Sequence, residues 1–130
     1  MIILTMRTDK PEAEIGLFED EEELAYEKWQ AHRQLSLTIH SKIRDLLKSQ
    51  DKDWHDVEGL VFYIGPGSFT GLRIGATVAN TMATTLNVPI AGTNGDEWAE
   101  AGIKLIKDGK GSELVTPFYG RDPHVTATKK

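Results

Sequence analysis

The chain has no cysteine among its 130 residues. Disulfides, thiolate catalysis and cysteine-ligated zinc are therefore excluded. Histidine is sparse as well. His32, His40, His55 and His124 are scattered without ligand spacing, so nothing points to a structural metal or a resident cofactor. No apolar run approaches the length of a membrane span. The N-terminus has neither a basic lead nor an apolar core long enough for a secretory signal, so cytoplasmic residence is the expectation. A basic excess is missing too, with 15 Lys and Arg against 20 Asp and Glu and a formal net charge of −5. Broad, direct nucleic-acid binding needs a cationic face, so such a role is expected only through a partner. The sequence also lacks internal repeats, low-complexity tracts and an interdomain linker.

What remains is an ordinary globular balance, with 39% hydrophobic and 27% charged residues. A chain of this length forms one domain and buries roughly two thirds of its unfolded surface. Residues 1–118 read as a single lobe and residues 119–130 as a short polar tail rich in Thr and Lys.

The hydrophobic pattern gives the elements. Residues 1–6 form an apolar, β-branched run, ended by Asp9-Lys10-Pro11. Ala13, Ile15 and Leu17 alternate with Glu14, Gly16 and Phe18, which predicts a second strand. Glu19 to Glu23 make an acidic hairpin tip, and Leu24 to Trp29 complete a meander. Leu35, Ile39, Ile43, Leu46 and Leu47 recur at helical spacing. Leu60 to Ile64 is a buried strand, Phe69 to Leu86 a helix, and Val88 to Gly92 a parallel strand. Asn94 or Asp96 is expected to cap a third helix that runs through Trp98 and Ile106 to Gly109, and Glu113 to Phe118 reads as one more strand. A meander that passes into βαβ gives an α/β fold: a mixed β-sheet with flanking helices.

Between strand and helix lies Gly65-Pro66-Gly67-Ser68-Phe69-Thr70-Gly71-Leu72-Arg73-Ile74-Gly75. Proline lacks a donor and glycine permits positive φ, so this run ends the strand, and Ser68 or Thr70 can cap the helix. It is no Walker A loop and no dinucleotide fingerprint. Two readings stand: a tight strand-to-helix turn, or a phosphate cradle built from backbone N–H groups. Within the helix, Gly71, Gly75, Ala79 and Ala83 recur every four residues beside Leu72, Val78, Met82 and Leu86. Such a stripe admits a close neighbour, either this domain's own sheet or a helix of another molecule. Arg73 is the one charge from Phe69 to Asn80, and it can face an anion, an acidic partner or solvent.

The eleven residues Gly65 to Gly75 resemble the motif of the TsaB family (YeaZ-type, Gcp-like), and they carry it without a substitution. TsaB proteins help to modify tRNA with threonylcarbamoyladenosine. Weaker similarity runs from the N-terminus to Pro89-Ile90-Ala91-Gly92. The resemblance implies a ribonuclease H-like lobe of the actin-like ATPase superfamily. It also implies a non-catalytic scaffold that binds TsaD, the paralogue with the transferase site, with the ATPase TsaE as a further partner and homodimers on an overlapping surface. Carried over, the partner-binding residues are Leu35, Ile39 and Ile43 of the first helix and Gly71, Leu72, Gly75, Ala79, Met82 and Ala83 of the motif helix. There are departures. Arg7-Thr8-Asp9 stands where the family has Asp-Thr-Ser, so a cation replaces the carboxylate of the first phosphate loop. Leu35-Ser36 replaces a His-Ser. Tyr119 to Thr126 resembles the start of the family's second lobe, so the chain is expected to match the first lobe only and not to hydrolyse ATP. The alternatives are a nucleotide- or phosphate-binding module at Gly65 to Thr70, or a self-associating remnant.

Overall fold

β-Branched and aliphatic residues at alternate positions of the first strand serve two faces of one sheet, and this decides the architecture. The computed structural model describes residues 1–118. In β1 (Ile2–Arg7), Ile2, Leu4 and Met6 join one apolar cluster and Ile3 joins another. β2 (Glu12–Glu19) and β3 (Glu22–Gln30) follow as an antiparallel meander. The chain then passes through α1 (Leu35–Lys48), β4 (Gly59–Tyr63), α2 (Phe69–Leu86), β5 (Ile90–Thr93) and α3 (Trp98–Lys107). β4 pairs parallel to β1, and β5 parallel to β4, so the sheet order is β3-β2-β1-β4-β5. This is the expected mixed sheet with flanking helices.

The larger cluster lies between the sheet and the pair α1 and α2. Ile39, Ile43 and Leu47 meet Leu4, Ile15, Leu17, Phe62 and Leu72 there. The smaller cluster sets Trp98, Ile103 and Ile106 of α3 against Ile3, Val61 and Tyr63 on the opposite face. β2 divides as its alternation predicts, with Ala13, Ile15 and Leu17 in the first cluster and Phe18 in the second.

Three expectations need correction. β5 begins at Ile90, not Val88, because α2 takes the preceding residues for its own end. Asn87 adopts the left-handed conformation (φ 57°), and Val88 N–H donates to the Ala83 carbonyl at 3.0 Å. Neither Asn94 nor Asp96 caps α3. The capping position is Glu97, without a side-chain bond, and Thr93 Oγ1 donates to the Trp98 carbonyl at 2.7 Å. Glu113 to Phe118 forms no strand. Ser112 bridges Ile90, and then the Asn80 side chain of α2 holds both backbone groups of Val115, at 2.9 and 3.0 Å. Gly109 does close α3, with φ 73° and a bond to Ile106. The polar tail, with its stretch similar to a second lobe, lies outside the described residues.

Candidate functional site

The motif turn is a seat for the end of β1. Ser68 caps α2 by accepting from the Gly71 N–H at 3.2 Å, as Thr70 does not. Ser68 N–H donates to the Asp9 carbonyl at 2.8 Å, and Thr8 Oγ1 donates to the Gly71 carbonyl at 2.7 Å. Thr8 is buried. A Cβ at Gly71 would collide with the Thr8 carbonyl oxygen, and one at Gly75 with Thr8 Oγ1. Gly71 is therefore demanded by backbone-to-backbone approach within the chain, and Gly75 by the Thr8 and Phe62 side chains against it. Two of the N–H groups that a phosphate cradle would offer already have protein acceptors.

Within the chain, that packing already engages the residues expected at the partner surface. Gly75, Ala79, Met82 and Ala83 are buried against the chain's own sheet, together with Leu72. Leu35, Ile39 and Ile43 are buried likewise, and Gly71 faces Thr8. The physical reason is plain: the apolar stripe of each helix covers the sheet's first face.

The outer faces of the same helices look different. Leu37 of α1 is 79% exposed and Phe69 of α2 is 54% exposed. A groove of about 400 Å³ runs between the helices, bordered by Ser36, His40, Phe69, Arg73, Thr77 and Val78. A second groove, of about 470 Å³, continues from it past Thr70 and Ile74 to Lys10, His32 and Arg33. Arg73 is exposed and forms no salt bridge among the described residues.

On the opposite face of the sheet, Arg7 is caged. Its Nε and Nη2 donate to the two carboxylate oxygens of Asp9 at 2.8 and 2.9 Å. The guanidinium lies 3.9 Å from the Tyr63 ring centroid and 5.7 Å from that of Trp98. The hydrogen bond to Asp9 holds the Arg7 pKa above its ordinary value. Glu14 stands opposite Arg7 in the β1–β2 register and accepts from Tyr26 Oη at 2.6 Å. Burial, and then that bond, push the Tyr26 phenol well above its usual range. Sequence reasoning noted the cation at position 7 but missed Asp9, Glu14 and Tyr26. The one available signal was a carboxylate at position 14 within the otherwise apolar stretch from Ala13 to Phe18. Among the described residues no cluster of three His, Asp or Glu is placed to hold a metal, and no helix is long and apolar enough to cross a membrane.

Comparison with known proteins gives four findings. Residues 29–115 match the family model described as TsaD, tRNA N6-adenosine threonylcarbamoyltransferase. The tRNA threonylcarbamoyladenosine biosynthesis protein TsaB of Bacillus subtilis (strain 168) is 29% identical over 126 residues, covering 92% of this chain and 55% of that protein. YeaZ from Pseudomonas aeruginosa superposes with a TM-score of 0.66 at 25% identity, over 72% of this chain and 43% of that one. RuvC of Thermus thermophilus, at 13% identity and a TM-score of 0.51 over 72% of this chain and 64% of its own, shares the fold alone. The chain spans about half the length of the curated relative it matches.

Proposed function

Since the chain belongs to the family described as TsaD, tRNA N6-adenosine threonylcarbamoyltransferase, we propose that it serves tRNA threonylcarbamoyladenosine biosynthesis as a non-catalytic scaffold for a TsaD-like transferase. The relative matched over most of the chain, named as a TsaB biosynthesis protein, supports a place in that process. The carrying observation is the outer face of α2 against α1, where the exposed Phe69 borders a groove between the two helices. Large apolar side chains grouped on a surface favour a protein partner. A TsaE-like ATPase joins the transferase in this reading, tRNA is met only through the complex, and the setting is cytoplasmic.

The non-catalytic part rests on Arg7 and Asp9. Both oxygens of Asp9 are engaged by the guanidinium, which sits where the resemblance places a nucleotide-organising carboxylate. A cation held in that position repels magnesium rather than orienting it. The phosphate-cradle reading is weaker because Ser68 and Gly71 direct their N–H groups to Asp9 and Ser68. Calorimetry with ATP is expected to show no heat.

The test is solution mass by light scattering, with the chain alone and mixed with the transferase of its own organism. A peak at the summed mass is the expected result. Its absence at micromolar concentration overturns the scaffold reading, and a homodimer indifferent to the transferase favours self-association.

A further inference from the structure

One face of this chain carries cations without carboxylates. The acidic residues Glu19 to Glu23 sit at the β2–β3 turn, where Asp20 and Glu21 meet Lys107 of α3. The C-terminal end of β1 lies at the other end of the sheet, where Asp9 and Glu14 are engaged by Arg7 and Tyr26. The two contiguous grooves take Lys10, Arg33 and Arg73 into their walls, with His32 and His40, and neither contains Asp or Glu. Arg7, Lys42, Arg44, Lys104 and Lys107 each face a carboxylate of the chain. Lys10, Arg33 and Arg73 form no such pair among the described residues.

We propose that this face takes an acidic protein segment, with carboxylates placed opposite Lys10, Arg33 and Arg73 and apolar side chains on Phe69 and Ile74. The inference rests on the scaffold reading and deepens it by stating the partner's chemistry. Opposed potentials across an interface steer encounter and reject wrong partners. A second copy of this chain is such a wrong partner. A two-fold contact through this face sets one cationic surface against another, with no carboxylate in the groove walls to offset it. RNA fits less well, because the groove walls between the cations are apolar and the whole chain carries −5.

The experiment measures two equilibria for Arg33→Gln/Arg73→Gln: binding to the transferase of the same organism, and self-association. Both arginines are exposed, so the fold is not at stake. Neutralisation is expected to weaken transferase binding about tenfold at about 0.05 M NaCl, and to leave self-association unchanged or tighter. Raising NaCl to about 0.5 M should weaken the wild-type complex and affect the variant little. Phe69→Asp serves as the control for the face itself. If that control loses binding while the arginine variant and salt have no effect, the acidic-segment inference is overturned and the scaffold reading stands. If the wild type forms no complex, both are overturned. Unmodified tRNA bound by the wild type and lost by the arginine variant assigns the face to RNA and overturns the inference. So does a wild-type homodimer that the arginine variant dissociates.

Discussion

Gly75→Ala tests whether the small-residue stripe belongs to the chain's own core. In a helix interior, alanine is better than glycine by about 1 kcal/mol. A stripe facing solvent or an absent partner would therefore gain stability from this change. In the structure the new methyl collides with Thr8 Oγ1 and lies 2.8 Å from Phe62 Cε1. Overpacking of this kind costs about 1–3 kcal/mol. Displacing Thr8 also endangers its bond to the Gly71 carbonyl, worth about 1 kcal/mol. The balance is a net loss of about 1–3 kcal/mol, which lowers Tm by about 4 °C per kcal/mol for a chain of this size. Urea denaturation of the isolated chain measures it. Thr8→Ala removes the obstructing hydroxyl, so Gly75→Ala should cost less in that background, with a coupling of about 1 kcal/mol or more between the sites. A Gly75→Ala protein more stable than wild type would refute the reasoning and return the stripe to an intermolecular role.

Other outcomes follow from the same contacts. Ala79→Glu places an unpaired charge in the core and should abolish the cooperative unfolding transition seen by circular dichroism. Arg7→Leu leaves the Asp9 carboxylate, 5% exposed, without its partner. It should cost about 2–4 kcal/mol, at the lower end because Arg7 keeps some contact with water, and adding Asp9→Asn should restore part of the loss. Tyr26 has a raised folded-state pKa, so the folded state holds its proton more tightly than the unfolded one. That stabilisation is complete below the unfolded phenol value of about 10 and is lost as pH rises above it; urea midpoints at about pH 9 and about pH 11 should differ less for Tyr26→Phe than for wild type. Asn80→Ala frees both backbone groups of Val115, and cleavage after Glu113 by a glutamate-specific protease should accelerate.

Much of the fold was legible because local periodicity reports it. The alternation at Ala13, Ile15 and Leu17 assigns β2 its faces, and the spacing from Leu35 to Leu47 gives α1 its buried stripe. The motif turn was recognisable from its glycines. Their reason was not, because Thr8 meets Gly71 across 63 positions of sequence. For the same cause the stripe on α2 read equally as an internal or an external contact. Apolar residues at Leu114, Val115 and Phe118 mimic a strand, yet the Asn80 side-chain amide receives Val115 and Phe118 makes a single backbone bond to Ile64. The cage around Arg7 draws on β1, β4 and α3 and leaves no local pattern.

α2 is tethered at two points along its length. Thr8 and Asp9 fasten its first turn, and Asn80 fastens its middle to Val115. A helix held in this way cannot roll about its axis, so Phe69, Arg73 and Thr77 keep a fixed bearing. A molecule that settles on this face meets a surface whose ordering was completed during folding. Little rotational or side-chain freedom of α2 remains to be lost on contact, and even a small contact area can hold.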